Sequence, residues 1–141
     1  MNMSQLIQQG VTAQQQQDFQ TAEQCYRQVL EQNPDHPDAI HFMGVLAYQV
    51  GNYEAAHAYI SRAIELLPEN DACYNNMGNL YQVQNDYQAA IPWYEKTIAL
   101  NPDKREAYNN LGVAYTRIGE YRKAGFNLEH AIEISPAYAE A

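Results

Sequence analysis

The chain has 141 residues and a net charge of −9, with eight basic residues against seventeen acidic ones. The basic residues form no cluster, which argues against nucleic acid and anionic membranes as partners. No apolar run approaches the ~18 residues of a membrane-spanning helix, and the first residues lack the basic and apolar regions of a secretory signal. Two cysteines at unrelated positions, Cys25 and Cys73, are expected to be free thiols in a reducing compartment, which predicts a cytoplasmic location.

The amino-acid sequence repeats with a period of 34 residues. The register is visible in three residue types: Gly10, Gly44, Gly78 and Gly112; Ala22, Ala56, Ala90 and Ala124; and Pro34, Pro68, Pro102 and Pro136. A fixed period over a whole chain indicates an array in which each repeat buries its apolar face against its neighbours. We therefore expect a single domain over residues 1–141, with repeats at 3–36, 37–70, 71–104 and 105–138 and the start of a fifth repeat at 139–141.

The first two repeats contain the least regular pattern and one clear turn. The first helix of repeat one carries a polar run, residues 14–17. A terminal repeat has one face in water, so we interpret this run as a solvent-facing cap. In repeat two, Gly51 and Asn52 form the predicted inner turn, with the glycine in the left-handed conformation after the first helix.

The third repeat shows the helix-pair pattern most clearly. Tyr74, Met77, Gly78 and Tyr81 recur at the spacing of one helical face, and a second apolar stripe follows Asn85 and Asp86. Asparagine tolerates the left-handed conformation after a helix, and aspartate is a good N-cap for the next one. Pro102 ends the second helix, because the residue before proline avoids the helical region. The pattern predicts an all-α array of antiparallel helix pairs.

The fourth repeat ends in a second helix with no successor of sufficient length. Tyr121, Leu128 and Ile132 lie on the face that the next repeat would cover in an internal position, and residues 137–141 are too short for another helix pair. Exposed contiguous apolar surface marks an interaction site or an aggregation liability. We expect self-association through these residues, in the form of a two-fold homodimer.

The repeated residues resemble those of the tetratricopeptide repeat family over residues 3–138. The resemblance is carried in the fourth repeat by Tyr108, Leu111, Gly112, Tyr115, Ala124, Leu128, Ala131 and Pro136. Corresponding residues occur in the other repeats, and the first repeat matches least well. The resemblance implies a right-handed α-solenoid, the tetratricopeptide superhelix, whose first helices line a concave groove. It also implies a protein-binding scaffold, although one fold serves many functions.

The polar side of the first helices is the expected peptide-binding groove. Its candidate residues are His41, Tyr48, Asn75, Asn76, Asn79, Gln82, Asn109, Asn110, Thr116 and Arg117. Asparagine is a poor helix former, so consecutive asparagines in two helices require a reason. An amide side chain has both donor and acceptor, and it can bind a peptide backbone irrespective of sequence. The alternative is that these amides are solvated or bond one another between helices.

Two known groove types can be compared with this one. Asn76 and Asn110 are similar to the asparagine ladder of the O-linked N-acetylglucosamine transferase superhelix, although Gln8 and Phe42 hold the equivalent places in the other repeats. The basic carboxylate clamp of chaperone cofactors is missing, because apolar and amide residues occupy the corresponding positions.

No enzyme signature occurs in the sequence. It contains no glycine-rich phosphate loop, nucleophile elbow or His-Glu-x-x-His motif, and His36, His41, His57 and His130 lack ligand spacing. We expect no catalytic residues, metal or cofactor. The leading hypothesis is a scaffold that binds an extended peptide or helix of a partner protein. A self-assembly module and the substrate-recruiting part of a larger glycosyltransferase-like protein remain as alternatives.

Overall fold

Eight α-helices make up residues 1–134, the part of the chain that the computed structural model describes. The helices are α1 (Met3–Gln15), α2 (Phe19–Gln32), α3 (Pro37–Gln49), α4 (Tyr53–Leu66), α5 (Asp71–Val83), α6 (Tyr87–Leu100), α7 (Arg105–Arg117) and α8 (Tyr121–Ile134). The predicted all-α fold class is confirmed. Pro136 and residues 137–141, including the expected start of a fifth repeat, lie outside the described residues.

The helices form two compact units. Unit 1 is Met1–Pro68 and contains α1 to α4, and unit 2 is Glu69–Ala141 and contains α5 to α8. Within each unit, neighbouring helices pair, and the second helix of one pair packs against the first helix of the next. Each unit is therefore two helix pairs with a shared core.

The inner turn of each helix pair contains one residue in the left-handed region. These residues are Gln17 (φ 63°), Gly51 (φ 83°), Asn85 (φ 65°) and Gly119 (φ 85°). The left-handed conformation predicted for Gly51 and Asn85 is confirmed, whereas the glutamine in this place was not expected.

The residue after each left-handed residue caps the following helix in three of the turns. Asp18, Asn52 and Asp86 each accept a hydrogen bond from the backbone N–H three residues later, at 3.2–3.3 Å. Side-chain capping satisfies a helix N–H that would otherwise lack a partner.

The recurrent glycines make room for a side chain of the second helix. A Cβ at Gly78 would lie 2.6 Å from Cε1 of Tyr94, and one at Gly10 would lie 2.6 Å from Cε1 of Tyr26. At Gly44 and Gly112 the nearest atoms belong to Ile60 and Leu128, at 2.7 and 2.5 Å. Backbone atoms of the second helix lie close as well, with Ile60 N 3.2 Å from the Cβ position of Gly44 and the Ala124 carbonyl oxygen 3.3 Å from that of Gly112.

The core of each unit lies between its helix pairs. In unit 1, Tyr26 of α2 packs with Met43 and Leu46 of α3. In unit 2, Tyr94 of α6 packs in the same way with Leu111 and Ala114 of α7. Tyr26 and Tyr94 have no exposed surface, and they occupy the same place in their repeats. In each unit the tyrosine hydroxyl donates to a side-chain amide on the first helix of its own pair.

Candidate functional site

The polar side of α5 and α7 in unit 2 carries a connected set of side-chain amides. Asn79 Oδ1 accepts a hydrogen bond from the Tyr94 hydroxyl at 2.8 Å and another from Asn110 Nδ2 at 3.1 Å. From the sequence it was open whether the asparagines form hydrogen bonds with one another. Asn79 and Asn110 do so. We call Asn75, Asn79, Gln82, Asn109 and Asn110 the amide face.

Two acceptors of the amide face are buried without a donor. Asn75 is only 4% exposed, and neither its Oδ1 atom nor Oε1 of Gln82 has a hydrogen-bond partner among residues 1–134. The sequence placed Asn75 roughly opposite the core face, in the open groove, but the structure buries it. An unmet acceptor in a buried position is costly, so these two atoms need a donor from elsewhere.

The remaining candidate residues of unit 2 differ in their surroundings. Asn76 and Asn109 are half-buried, whereas Thr116 and Arg117 are exposed. Thr116 Oγ1 donates to the carbonyl oxygen of Gly112 at 2.8 Å. The Arg117 guanidinium lies 5.8 Å from the ring centroid of Tyr87, within the range of a cation–π contact.

The polar side of α1 and α3 in unit 1 satisfies its own amide groups. The Tyr26 hydroxyl donates to Gln14 Oε1 at 2.6 Å, and Gln14 Nε2 donates to Gln49 Oε1 at 2.6 Å. Burial raises the pKa of Tyr26 to about 12, so the hydroxyl remains a donor at neutral pH. Gln14 is 9% exposed, so the interpretation of residues 14–17 as a solvent-facing cap is wrong for Gln14. The burial of Gln14 could have been inferred from Tyr26, twelve residues later in the chain, whose hydroxyl bonds this glutamine.

His41 and Tyr48 of unit 1 lie in aromatic surroundings. His41 stacks on Phe42, with ring centroids 5.8 Å apart, and Phe42 stacks on Tyr26 at 5.6 Å. Burial lowers the pKa of His41, and the nearby Asp38 carboxylate opposes this shift. Burial also raises the pKa of Tyr48. His41 is therefore an imidazole packed against an aromatic ring.

The three residues expected to mediate self-association differ in exposure. Tyr121 is 71% exposed and Ile132 is 42% exposed, whereas Leu128 is half-buried and packs at Gly112. Phe126, which the sequence analysis did not single out, is 67% exposed. It lies on a different side of α8 from Tyr121 and Ile132, because steps of five and six residues rotate the side chain by about 140° and 120° around the helix axis.

Residues 1–134 contain neither a cluster of metal ligands nor a membrane-spanning helix. This part of the chain contains no group of three or more histidine, cysteine or acidic residues that could hold a metal ion. None of its helices is long and apolar enough to cross a membrane. Both cysteines, Cys25 and Cys73, are buried.

Comparison with known families decides what this repeat array is. Two tetratricopeptide repeat models match residues 13–80 and 70–137. The chain belongs to the tetratricopeptide repeat family. The resemblance inferred from the 34-residue register is thereby confirmed, and the tetratricopeptide fold is a scaffold for protein–protein interaction that is typically without catalysis. No curated protein sequence matches the chain.

Solved tetratricopeptide structures resemble the chain over most of its length. A crystal structure of MamA is 24% identical over 99% of this chain and 82% of that one, with a TM-score of 0.85. MamA residues 41-end from Desulfovibrio magneticus RS-1 are 20% identical over 96% of this chain and 77% of that one, with a TM-score of 0.84. These likenesses support the fold alone.

An enzyme structure also contains a similar tetratricopeptide region. The O-GlcNAc transferase mutant K341M from Thermobaculum terrenum is 28% identical over 80% of this chain, with a TM-score of 0.77. The match covers only 22% of the transferase chain, so it concerns a minor part of that enzyme.

Proposed function

We propose that the amide face of unit 2 binds the backbone of an extended segment from a partner protein. The observation that carries this proposal is the pair of buried acceptors without donors, Asn75 Oδ1 and Gln82 Oε1. A polypeptide backbone supplies N–H donors whatever its sequence. Rotation of the two side chains toward the groove would bring these oxygens to such N–H groups, and binding would then relieve the cost of the two unmet acceptors.

The spacing of the two acceptors suits an extended chain. Asn75 and Gln82 are seven residues apart on one helix, which corresponds to about 10.5 Å along the helix axis. A polyproline II segment rises about 3.1 Å per residue with three residues per turn, so N–H groups three residues apart point the same way at about 9.3 Å. The partner segment would therefore donate through two backbone N–H groups three residues apart.

Binding of this kind depends little on charge. The amide face has no ionisable member, and its inner residue Asn79 already accepts two hydrogen bonds. Salt screens mainly exposed charges. The affinity should consequently change little between low and moderate salt.

Peptides selected from a random display library on the intact chain would test the proposal. Asn75→Leu with Gln82→Leu should abolish binding, because both acceptors are removed while apolar volume is retained. Asn76→Ala with Asn110→Ala should weaken binding more than tenfold, about 1.4 kcal/mol. Gln88→Leu, an exposed change on α6, is the matched control and should bind normally.

Changes in the selected peptide test backbone recognition independently of the protein variants. Methylating its backbone nitrogens one at a time should weaken binding at two positions three residues apart. A single sensitive position, a steep salt dependence, or unchanged binding by the Asn75 and Gln82 variant would contradict backbone recognition.

Self-association through α8 is the second candidate function. It is supported by the exposure of Tyr121 and Ile132 on one side of that helix. Tyr121→Glu with Ile132→Glu should shift sedimentation toward monomer, while Phe126→Glu removes a similar apolar surface from another side and is the control. Leu128 is unsuitable for this test because it packs at Gly112. Equal sedimentation of wild type and both variants would exclude the α8 interface.

The third hypothesis concerns a longer protein. In this hypothesis the array recruits substrates for a glycosyltransferase. It rests on the structural similarity to the O-GlcNAc transferase, which covers only 22% of that chain. The ladder-like Asn76 and Asn110 suit any peptide-binding array and not a glycosyltransferase in particular, so this hypothesis ranks below the other two candidates.

A further inference from the structure

Unit 1 contains a cavity of about 350 Å³ away from the polar side of its first helices. Its floor is formed by Met43, Leu46 and Ala47 of α3, and its walls include Phe19 of α2 and Tyr59 of α4. Seen down α3, these floor residues lie roughly opposite the side that carries His41 and Tyr48. We call this cavity the aromatic slot.

The slot exists because the first helices of unit 1 lack a tyrosine that both first helices of unit 2 possess. Ala47 corresponds in the 34-residue register to Tyr81 and Tyr115. In unit 2, Tyr115 packs against the core cluster of Ile91 and Leu111, and Lys123 Nζ lies 5.6 Å from its ring centroid. Alanine cannot fill the same place in unit 1, so a space suited to one aromatic ring remains.

The lining of the slot matches the chemistry of an aromatic ring. Phe19 and Tyr59 offer ring surfaces, and aromatic pairs attract one another beyond simple burial. Arg27 lies at the rim, and a guanidinium near a ring face adds a cation–π contact. At the mouth, the side-chain Oδ1 of Asn52 accepts from the Ala55 N–H and caps α4, which leaves the Asn52 Nδ2 hydrogens able to donate to a phenolic oxygen.

The net negative charge of unit 1 favours basic residues on either side of an aromatic ring that enters the slot. Residues 1–68 contain seven acidic residues, Asp18, Glu23, Glu31, Asp35, Asp38, Glu54 and Glu65, but only two basic ones, Arg27 and Arg62. The positive charge at the slot is neutralised locally, because Arg27 Nη2 lies 2.7 Å from Glu23 Oε1. A basic segment is therefore attracted to this surface, and an acidic one is repelled.

We propose that the aromatic slot binds a tyrosine side chain of a partner protein whose neighbouring residues are basic. The ring enters the place that Tyr115 occupies in unit 2, its hydroxyl faces Asn52, and the flanking cations meet the acidic surface of unit 1. This site is separate from the amide face, so a partner could use either one without the other.

Titration of the intact chain, labelled with ¹⁵N and with ¹³C in the methionine methyl groups, with short peptides tests the proposal. Acetyl-Lys-Arg-Tyr-Arg-Lys-amide should shift the Ala47 amide and the Met43 methyl resonances. The same peptide with alanine in place of tyrosine should bind at least tenfold more weakly. A peptide with glutamates in place of the four basic residues should also lose most of its affinity.

Two variants separate slot binding from nonspecific attraction. Ala47→Tyr should fill the slot, raise the unfolding temperature and abolish the tyrosine-dependent shifts. Val50→Lys places a cation at a lining residue that is 57% exposed, so the variant should fold even where Ala47→Tyr does not, and it should repel the basic peptide. Wild-type affinity in either folded variant would overturn the proposal.

A second copy of the chain is the competing occupant, because exposed Tyr121 is followed by Arg122 and Lys123. If the Ala47 and Met43 resonances of the peptide-free chain move with protein concentration, and Tyr121→Ala removes that movement, the slot serves self-association and the proposed partner is wrong. Concentration-independent resonances with the expected peptide response would support the partner protein.

Discussion

The Tyr94 hydroxyl on α6 donates to Asn79 Oδ1 on α5 at 2.8 Å, and this bond fixes the centre of the amide face. Asn79 in turn accepts from Asn110 on α7, so one buried tyrosine connects two first helices. Tyr26 and Gln14 form the same relationship in unit 1 and extend it to Gln49. The core residue beside the recurrent glycine thus organises the polar surface of each unit.

Removing the tyrosine hydroxyl should destabilise the chain modestly. Tyr94→Phe should lower the free energy of unfolding by about 0.5–1.5 kcal/mol, the usual contribution of one internal hydrogen bond. Chemical denaturation followed by circular dichroism measures the change. Tyr87→Phe removes a hydroxyl that bonds Asn85 at an exposed position and should have a smaller effect. Equal effects of the two variants would show that the Tyr94 bond has no special role.

Adding one methyl group should have opposite effects at two helical glycines. Gly78→Ala places a Cβ 2.6 Å from the fully buried Tyr94 ring, and overpacking of this kind costs about 1–3 kcal/mol. Gly125→Ala meets no atom within 4 Å and should gain about 1 kcal/mol from helix propensity. Thermal unfolding of both variants gives the comparison. A stabilised Gly78→Ala variant would mean that the ring moves aside freely.

The left-handed glutamine should be replaceable with a gain in stability. Gln17 has φ 63°, a conformation that costs a residue with a side chain about 1–2 kcal/mol. Gln17→Gly should therefore stabilise the chain by about 0.5–1 kcal/mol, after the greater freedom of glycine in the unfolded chain is subtracted. Gln16→Gly is the control, because Gln16 has φ −87° and should lose stability. Both free energies of unfolding come from urea titrations.

Acidification should weaken the chain through His41. Burial lowers the pKa of this imidazole below its ordinary value of 6.5, with Asp38 opposing. Between that lowered value and 6.5 the unfolded chain binds more protons than the folded chain, so stability rises with pH in this window and falls as pH drops through it. The loss should be complete below the folded pKa.

Urea unfolding at several pH values between 5 and 8 measures this dependence. His41→Gln should flatten it in that window, while His57→Gln, at an exposed position of α4, should leave it unchanged. A pH dependence that persists in the His41 variant would assign the effect to another group.

Several local features followed directly from the sequence. The left-handed Gly51 and Asn85 of the inner turns and the N-cap Asp86 depend on a few adjacent residues. Such features can be predicted because backbone preference and capping act over one helical turn. The left-handed Gln17 was not predicted, because glutamine has no preference for that region of backbone conformation. Gln17 adopts this conformation because it holds the register position of Gly51 and Asn85.

The candidate site was predicted less completely. The helical period placed Asn75, Asn79 and Gln82 on one side of α5, and the structure also has them there. The helical period could not show that Asn75 is buried, that Asn79 accepts a hydrogen bond from Tyr94, or that Gln14 and Gln49 are hydrogen-bonded to each other. These facts depend on how far each amide reaches toward a neighbouring helix and on which rotamer it adopts there.

By itself, the sequence determined the repeat period, the helix pairs and the family, because a strict 34-residue register requires each unit to bury the same face. Only the tertiary structure decided which polar atoms are satisfied and where space remains. Asn75 lacks a donor because its surroundings in unit 2 supply none, and the slot over Ala47 is open because the walls of unit 1 do not close on a small side chain. Both properties arise from distances between helices, which a one-dimensional pattern of residue types does not contain.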